Sequence, residues 1–169
     1  MENRFTLRPL KMRDAEKMLE WMHDENVTHF LRINGKNATI EDTRRFIENA
    51  KDEKITLHRA ITDESGNYLG TVSLKNIDRE KREAEYAICM HSDAMGTGAA
   101  KEGTRLILAL AFSRMDLRRV YLNVLEENLR AVKFYNKFGF TYVGKSETEF
   151  KGQTKPLLWY EIISEKING

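Results

Sequence analysis

A-E-Y-A-I-C-M-H-S-D-A-M-G-T-G-A-A-K-E-G, residues Ala84 to Gly103, sets the frame for the rest of the chain. Glu85 to Met90 is short and apolar, with branched and aromatic side chains, and reads as a buried strand. A turn at His91–Met95 leads to two glycines one residue apart, Gly96 and Gly98, and then to a helical run, Ala100–Phe112, dense in Leu, Ile and Ala. A strand that breaks at glycines and restarts as a helix leaves several backbone N–H groups converging at the positive end of a helix dipole. Such a junction suits an anion, best a phosphate or pyrophosphate.

Two phosphate motifs with this outline fail on the residues. A P-loop requires G-x-x-x-x-G-K-[ST]; Gly98 to Gly103 has the spacing, but Thr104 follows directly and the lysine is missing. A dinucleotide fingerprint requires Gly or Ala three residues after the second glycine, where Lys101 stands. A third pattern, [QR]-x-x-G-x-[GA], is met by Met95-Gly96-Thr97-Gly98-Ala99-Ala100 except at its first position, where Met95 replaces Gln or Arg. A second block lies downstream, R-V-Y-L-N-V-L-E-E-N-L-R-A-V-K-F-Y-N-K-F-G-F over residues 119–140. It carries Asn128, Ala131, Tyr135, Gly139 and Phe140 in the order Asn-x-x-Ala-x-x-x-Tyr and a closing Gly-Phe.

Together the two blocks resemble the GNAT superfamily of acetyl-CoA-dependent N-acetyltransferases. Within it, the A-E-Y block, the Asn-to-Gly-Phe segment and the F-K-G-Q turn resemble the branch of ribosomal-protein N-terminal acetyltransferases. The resemblance covers nearly the whole chain. It implies an α/β (α+β) fold with a mixed central sheet of about seven strands, a splayed parallel central pair, and about four helices.

Length and composition agree with one soluble unit. The chain has 169 residues, long enough to bury a core, and is expected to form a single domain over 1–169. A formal net charge of +2 with no like-charge run argues against a dedicated nucleic-acid binder. The longest apolar run, Leu106–Phe112, is too short to cross a bilayer, and the first residues show no hydrophobic signal region. A single cysteine, Cys89, excludes an internal disulfide framework. A cytoplasmic monomer or homodimer is expected, with no nucleic-acid or membrane partner.

Along the chain, Arg4–Pro9 reads as an opening strand, and Asp14 as the N-cap of a helix with Ala15, Met18, Leu19 and Met22 on one face. Asp24–Ala38 is polar and irregular, with a turn at Asn34-Gly35, and a second helix follows the cap Thr39 to about Ala50. Thr56–Thr62 and Tyr68–Lys75 read as an antiparallel hairpin across Ser65-Gly66-Asn67. The charged turn Asp78–Glu83 leads into the central strand. After the glycine turn come the helix to about Arg114, a strand Arg119–Val124, a helix Leu129–Phe138 closed by Gly139, and strands Thr141–Glu149 and Pro156–Ile163 around Lys151-Gly152. Helix-linked strands run parallel, so Glu85–Met90 and Arg119–Val124 form the parallel pair.

The resemblance assigns chemistry to named positions. Acetyl-CoA is the expected co-substrate. Its pyrophosphate falls to the backbone of Met95, Gly96, Thr97, Gly98, Ala99, Ala100 and Lys101, with Arg130 and Lys133 as nearby cations or merely solvated charges. Its pantetheine arm falls to the backbone of Ile88, Cys89 and Met90, paired like an added strand, and to Asn123, Asn128 and Ala131. Asn128 is equally a helix N-cap. Tyr135 is the expected general acid for the departing thiolate, since a phenol of pKa ~10 can protonate a thiolate whose thiol lies near ~8.5; the plain alternative is packing beside Phe134 and Phe138. Glu85 serves the amine as base, orienting group or strand-end charge. Cys89 and His91, two apart, invite a Cys–His acyl-enzyme, but a buried thiol and a turn histidine are the better reading. Four histidines without ligand spacing give no metal. The acceptor is a primary amine, a peptide N-terminus or small amine, with a nucleotide amino sugar as runner-up and a non-catalytic acyl-CoA-binding module as the alternative of another class. Asp24–Ala38, the second helix and the turn Phe150–Lys155 are expected to form the acceptor side, with Asp24, Glu25, His29, Arg32 and Lys36 as its charges.

Overall fold

The computed structural model describes residues 4–165. Seven strands form one sheet: β1 (Thr6–Arg8), β2 (Leu57–Thr62), β3 (Tyr68–Asp78), β4 (Glu83–Met90), β5 (Arg119–Leu125), β6 (Thr141–Phe150) and β7 (Gln153–Ile163), in spatial order β1-β2-β3-β4-β5-β7-β6. Every neighbouring pair is antiparallel except β4–β5. The parallel pair is in register only from Glu83 opposite Arg119 to Glu85 opposite Tyr121. Beyond that point the strands part, and Ala87–Met90 and Asn123–Leu125 face each other with no ladder between them.

Helices cover both faces. α4 (Ala99–Ala109) and α5 (Leu129–Phe138) pack on one face over a core that includes Ile61, Val72, Leu74, Tyr86, Val120, Leu122 and Tyr160. α1 (Ala15–His23) and α3 (Ile40–Asn49) cover part of the other, where Met18, Trp21 and Ile47 bury against Ala60 and Tyr68, with Cys89 beside them. Period-two alternation on β4 divides the strand between these faces: Ala84, Tyr86, Ile88 and Met90 toward α4 and α5, Glu85 and Cys89 toward the other side. Gly103 permits a close approach of α4 to β2, since a Cβ there would stand 2.4 Å from Ile61.

Local signals explain most boundaries. Thr39 accepts the Asp42 N–H and Asp42 accepts the Thr39 N–H, a capping box that starts α3. Gly139, at φ +115°, ends α5 in the left-handed region. Lys151 and Gly152, at φ +51° and +78°, make a two-residue hairpin turn of the kind that matches strand twist.

Four expectations need correction. Asp14 stands before α1 but does not cap it; its carboxylate accepts two bonds from Arg8 at 2.8 Å each and one from the Lys11 N–H. Asp24–Ala38 is not wholly irregular, since it holds a short helix, α2 (Glu25–Thr28), and a 3-10 turn at Gly35–Asn37. The helix after the glycine turn starts at Ala99 and widens to a π turn over Leu110–Arg114. β7 begins at Gln153 rather than Pro156, because the tight turn brings Phe150 opposite Gln153 and the ladder starts at once.

Candidate active site

The glycine junction has the form of an anion nest. Gly96 and Gly98 lie at φ +78° and +90°, and a Cβ on either would meet nothing within 4 Å, so conformation rather than crowding calls for glycine. Gly98 stands at the N-cap of α4 with no side chain capping it. Not every N–H of the expected cradle is available. Thr97 donates its backbone N–H to Ala94 O, and its Oγ1 accepts the Ala99 N–H at 3.3 Å, so these two positions tie the turn together. The Met95 N–H is likewise taken by Ser92 O. Among the described residues, the N–H groups of Gly96, Gly98, Ala100 and Lys101 have no partner. Lys101, Arg130 and Lys133 are in no ion pair there, whereas Arg105 is held by Glu102. The Met95 side chain is exposed at the mouth of the turn and brings no strong hydrogen-bond donor.

From the nest the open gap between β4 and β5 leads into the sheet. Ile88, Cys89 and Met90 line its β4 edge and Asn123 its β5 edge. Asn128 caps α5, its Oδ1 accepting the Ala131 N–H at 3.3 Å, while its Nδ2 has no hydrogen-bond partner among the described residues. The cap thus leaves the amide donor free, and the two readings of Asn128 are compatible.

Tyr135 reaches inward from α5 into a cluster of rings formed by Tyr86, Phe134, Phe140 and Tyr160. Burial pushes its hydroxyl well above the usual phenol value, with Cys89 adding to the effect. The hydroxyl has no hydrogen-bond partner among the described residues. Among the described residues the one sealed polar side-chain atom without a partner is Arg8 Nε, so the Tyr135 hydroxyl is not sealed. The ring is buried and, among the described residues, the O–H is left without a partner, so packing does not exclude the expected role of proton donor.

Cys89 and His91 are not brought together as a nucleophile and base. Burial pushes the Cys89 thiol up to about 11, which keeps it protonated at neutral pH. His91 points elsewhere: its Nδ1 accepts the Asp93 N–H and its Nε2 donates to Glu20 at 2.7 Å. No cluster of three or more metal-ligating side chains exists among the described residues.

On the face away from α4 and α5, strand alternation sets Glu85, Tyr121, Asn123 and Trp159 side by side along the middle of the sheet, a strip we call the trench. Asn123 is exposed although it belongs to a strand with neighbours on both sides. Glu85, 3.3 Å from Lys75 and within 3.5 Å of Asn76, closes one end with Tyr121 opposite it. Trp159 lies across from Asn123, its indole N–H bonded to Ser146. One wall belongs to the segment after α2, where Phe30 packs with Leu125, Phe150, Leu157 and Trp159. That segment is fastened to the β6–β7 hairpin by Lys151 Nζ donating to His29 O at 2.8 Å and by Arg32 to Thr148. The opposite wall, with His58 bonded to Ser73 under Phe46, carried no local sequence signal.

Comparison with known proteins follows this geometry. The acetyltransferase (GNAT) domain family matches residues 4–141. Among curated relatives, an uncharacterised N-acetyltransferase, p20, of Bacillus licheniformis is 23% identical over 98% of this chain and 96% of its own. The spermidine N(1)-acetyltransferase of Escherichia coli K12 is 26% identical over 85% of this chain and 76% of its own. A Bacillus subtilis protein provisionally named a ribosomal N-acetyltransferase is 24% identical over 97% and 93%. Among solved structures, the spermidine N-acetyltransferase of Vibrio cholerae, in complex with CoA and spermine, superposes with a TM-score of 0.87 over 99% of this chain and 100% of that one; at 22% identity it speaks for the fold. A glycine nest, a splayed parallel pair and a family match spanning most of the sequence lead to one conclusion: the chain belongs to the GNAT family of N-acetyltransferases.

Proposed function

We propose that the protein moves an acetyl group from acetyl-CoA directly to the primary amine of a small cationic molecule or a peptide N-terminus, both bound at once. The observation that carries this reading is the gap between β4 and β5, which joins a nest of free N–H groups on one side to an open polar trench on the other. The nest and the unpaired Lys101 and Lys133 suit the phosphates, and the free edge of Ile88–Met90 with Asn123 and Asn128 suits the amide-bearing arm. Acetyl-CoA brings the reactive thioester.

The chain's own groups supply the rest. Tyr135 holds its proton through neutral pH, because burial raises its pKa, and its hydroxyl, unpartnered among the described residues, can share that proton with a developing thiolate. The raised pKa makes full transfer harder and does not itself favour it. Glu85 presents a carboxylate to the trench and orients a cationic acceptor; its ion pair with Lys75 disfavours service as a base. The Tyr121 ring already has the Arg119 guanidinium 4.7 Å over it, so the neighbouring Trp159 ring is the aromatic surface that suits an alkylammonium group. Arg32 is engaged with Thr148, which weighs against its serving a phosphate-bearing amino sugar. Relatives named for spermidine acetylation support a cationic amine. The test is CoA release on mixing the protein with acetyl-CoA and a panel of alkyl diamines, short peptides and amino sugars. Release only with the first two supports the reading. Acetyl-CoA binding without release to any amine favours a binding module instead.

A further inference from the structure

An acceptor amine arrives mostly as an ammonium ion and must lose a proton before it attacks. Glu85 is tied to Lys75, and a second group able to accept a proton lies on the same face of the sheet. His58 and Ser73 face each other across the β2–β3 ladder, with His58 Nδ1 2.6 Å from Ser73 Oγ. Ser73, buried with 6% of its surface exposed, lies directly across β3–β4 from the half-buried Ala87, two residues past the point where β4 last pairs with β5. The Phe46 ring covers the imidazole at 4.7 Å between centroids, and His58 Nε2 has no hydrogen-bond partner among the described residues.

Resting on the acetyltransferase reading above, we propose that the His58–Ser73 pair takes the proton from the acceptor ammonium. One N–H bond of the ammonium breaks and its proton passes to Ser73 Oγ, while the Ser73 hydroxyl proton passes to His58 Nδ1. The electron pair stays on the nitrogen, and the imidazolium later returns a proton to solvent. The surroundings suit this sequence. Burial first, then Lys75 on β3 and Arg59 on β2, lower the His58 pKa, so the imidazole is neutral and able to accept at pH 7. The nearby carboxylates are committed elsewhere, Glu85 to Lys75 and Glu53 to Arg59 at 2.6 Å, and from α3 the group in contact is the uncharged Phe46. With no anion beside it, the imidazolium is short-lived, which favours resetting the pair after each turnover.

The experiment compares wild type, His58→Gln and Ser73→Ala in kcat/KM for a linear alkyl diamine and a short peptide, from pH 6 to 9.5. At pH 7, His58→Gln is expected to lose roughly 10²-fold or more. At pH 9.5 about a tenth of an amine with a lysine-like pKa is already free base, so the deficit should shrink to a few-fold. Ser73→Ala should follow the same trend. A deficit that stays constant with pH would assign His58 a packing role and overturn the proposal. Imidazole nitrogen NMR of wild type gives a readout without turnover. It should show the Nε2–H tautomer with Nδ1 accepting from Ser73, and an Nδ1–H donating to Ser73 at neutral pH would also overturn it. Failure of wild type to acetylate any amine would instead strike the acetyltransferase reading, leaving NMR to decide on His58.

Discussion

Glu85 Oε2 lies 3.3 Å from Lys75 Nζ, directly across the β3–β4 ladder, where β4 still pairs with β5. The carboxylate's partner is the Lys75 ammonium, which places Glu85 as an electrostatic guide for a cationic acceptor rather than as an uncommitted proton acceptor. Glu85→Gln is therefore expected to raise the acceptor KM several-fold and leave the acidic limb of kcat/KM in place, with acetyl-CoA binding unchanged. Steady-state kinetics across pH, with calorimetry for the cofactor, checks this. Loss of the acidic limb in the variant would make Glu85 the base after all.

Gly98, at φ +90° and facing open space, tests the nest. Gly98→Val places a branched side chain in a left-handed conformation, a strain of about 1–3 kcal/mol. For a chain of this size that lowers Tm by roughly 2–4 °C per kcal/mol, so the variant should still fold. The rise in Tm that acetyl-CoA gives wild type should largely vanish. A full rise in the folded variant would remove the glycine turn from the cofactor site.

The Tyr135 hydroxyl has no hydrogen-bond partner among the described residues, so removing it costs no contact of that kind with them. Tyr135→Phe should keep its Tm within about 1–2 °C of wild type and its affinity for acetyl-CoA, while kcat falls roughly 10²–10⁴-fold. Near-full turnover would leave Tyr135 as the ring at the centre of Tyr86, Phe140 and Tyr160 and nothing more.

Much of this architecture could be read before the coordinates because its signals are local. The Thr39 capping box, Gly139 after the last helix and the glycine pair at 96 and 98 each act within a few residues. Asp14 shows where that style of reading breaks down. A helix-start aspartate normally caps, but here Arg8 comes from β1 and the Lys11 N–H folds back, and together they claim the carboxylate. The trench was legible only in part for the same reason. Glu85 stood out beside a motif, and the loop near residue 30 stood out by its polarity. His58, Ser73 and Trp159 meet the trench through strand register from three different strands, which no window of sequence displays. Asn123 is named only through the family resemblance; its exposure follows from the splay of β4 from β5, which a local reading of the strand does not display.

Cys89 offers a prediction with a defined pH range. Its thiol is raised by burial from 9.0 to about 11, so the unfolded chain ionises before the folded one. Its contribution to stability is complete below pH 9 and is lost as pH rises through about 11. Chemical denaturation should show stability falling between these values, and falling less in Cys89→Ala. The same variant should keep wild-type turnover, and native protein at pH 7.5 should resist iodoacetamide. A chemically competent acetyl-enzyme that Cys89→Ala cannot form would overturn direct transfer.

The segment from Asp24 to Ala38 is held to the far hairpin rather than to the nest. Lys151 reaches His29 O at 2.8 Å, Arg32 reaches Thr148, and Phe30 buries against Phe150, Leu157 and Trp159. These contacts fix one wall of the trench while Glu25, Ile33 and Lys36 stay exposed on it. Specificity carried on a loop clamped to a rigid sheet should change without disturbing the cofactor side. Replacing Glu25, Arg32 and Lys36 by Ser, with Phe30 kept, should shift relative kcat/KM among diamines and peptides by about tenfold or more, the size of a lost charge contact of ~1.4 kcal/mol. Acetyl-CoA affinity should move less than about twofold. Deleting the Phe30 anchor by Phe30→Ala should instead loosen the wall, raising KM for every amine and making the segment more sensitive to protease. If the triple variant lost acetyl-CoA affinity and kept its order of amine preference, the two sides of the site would have to be exchanged.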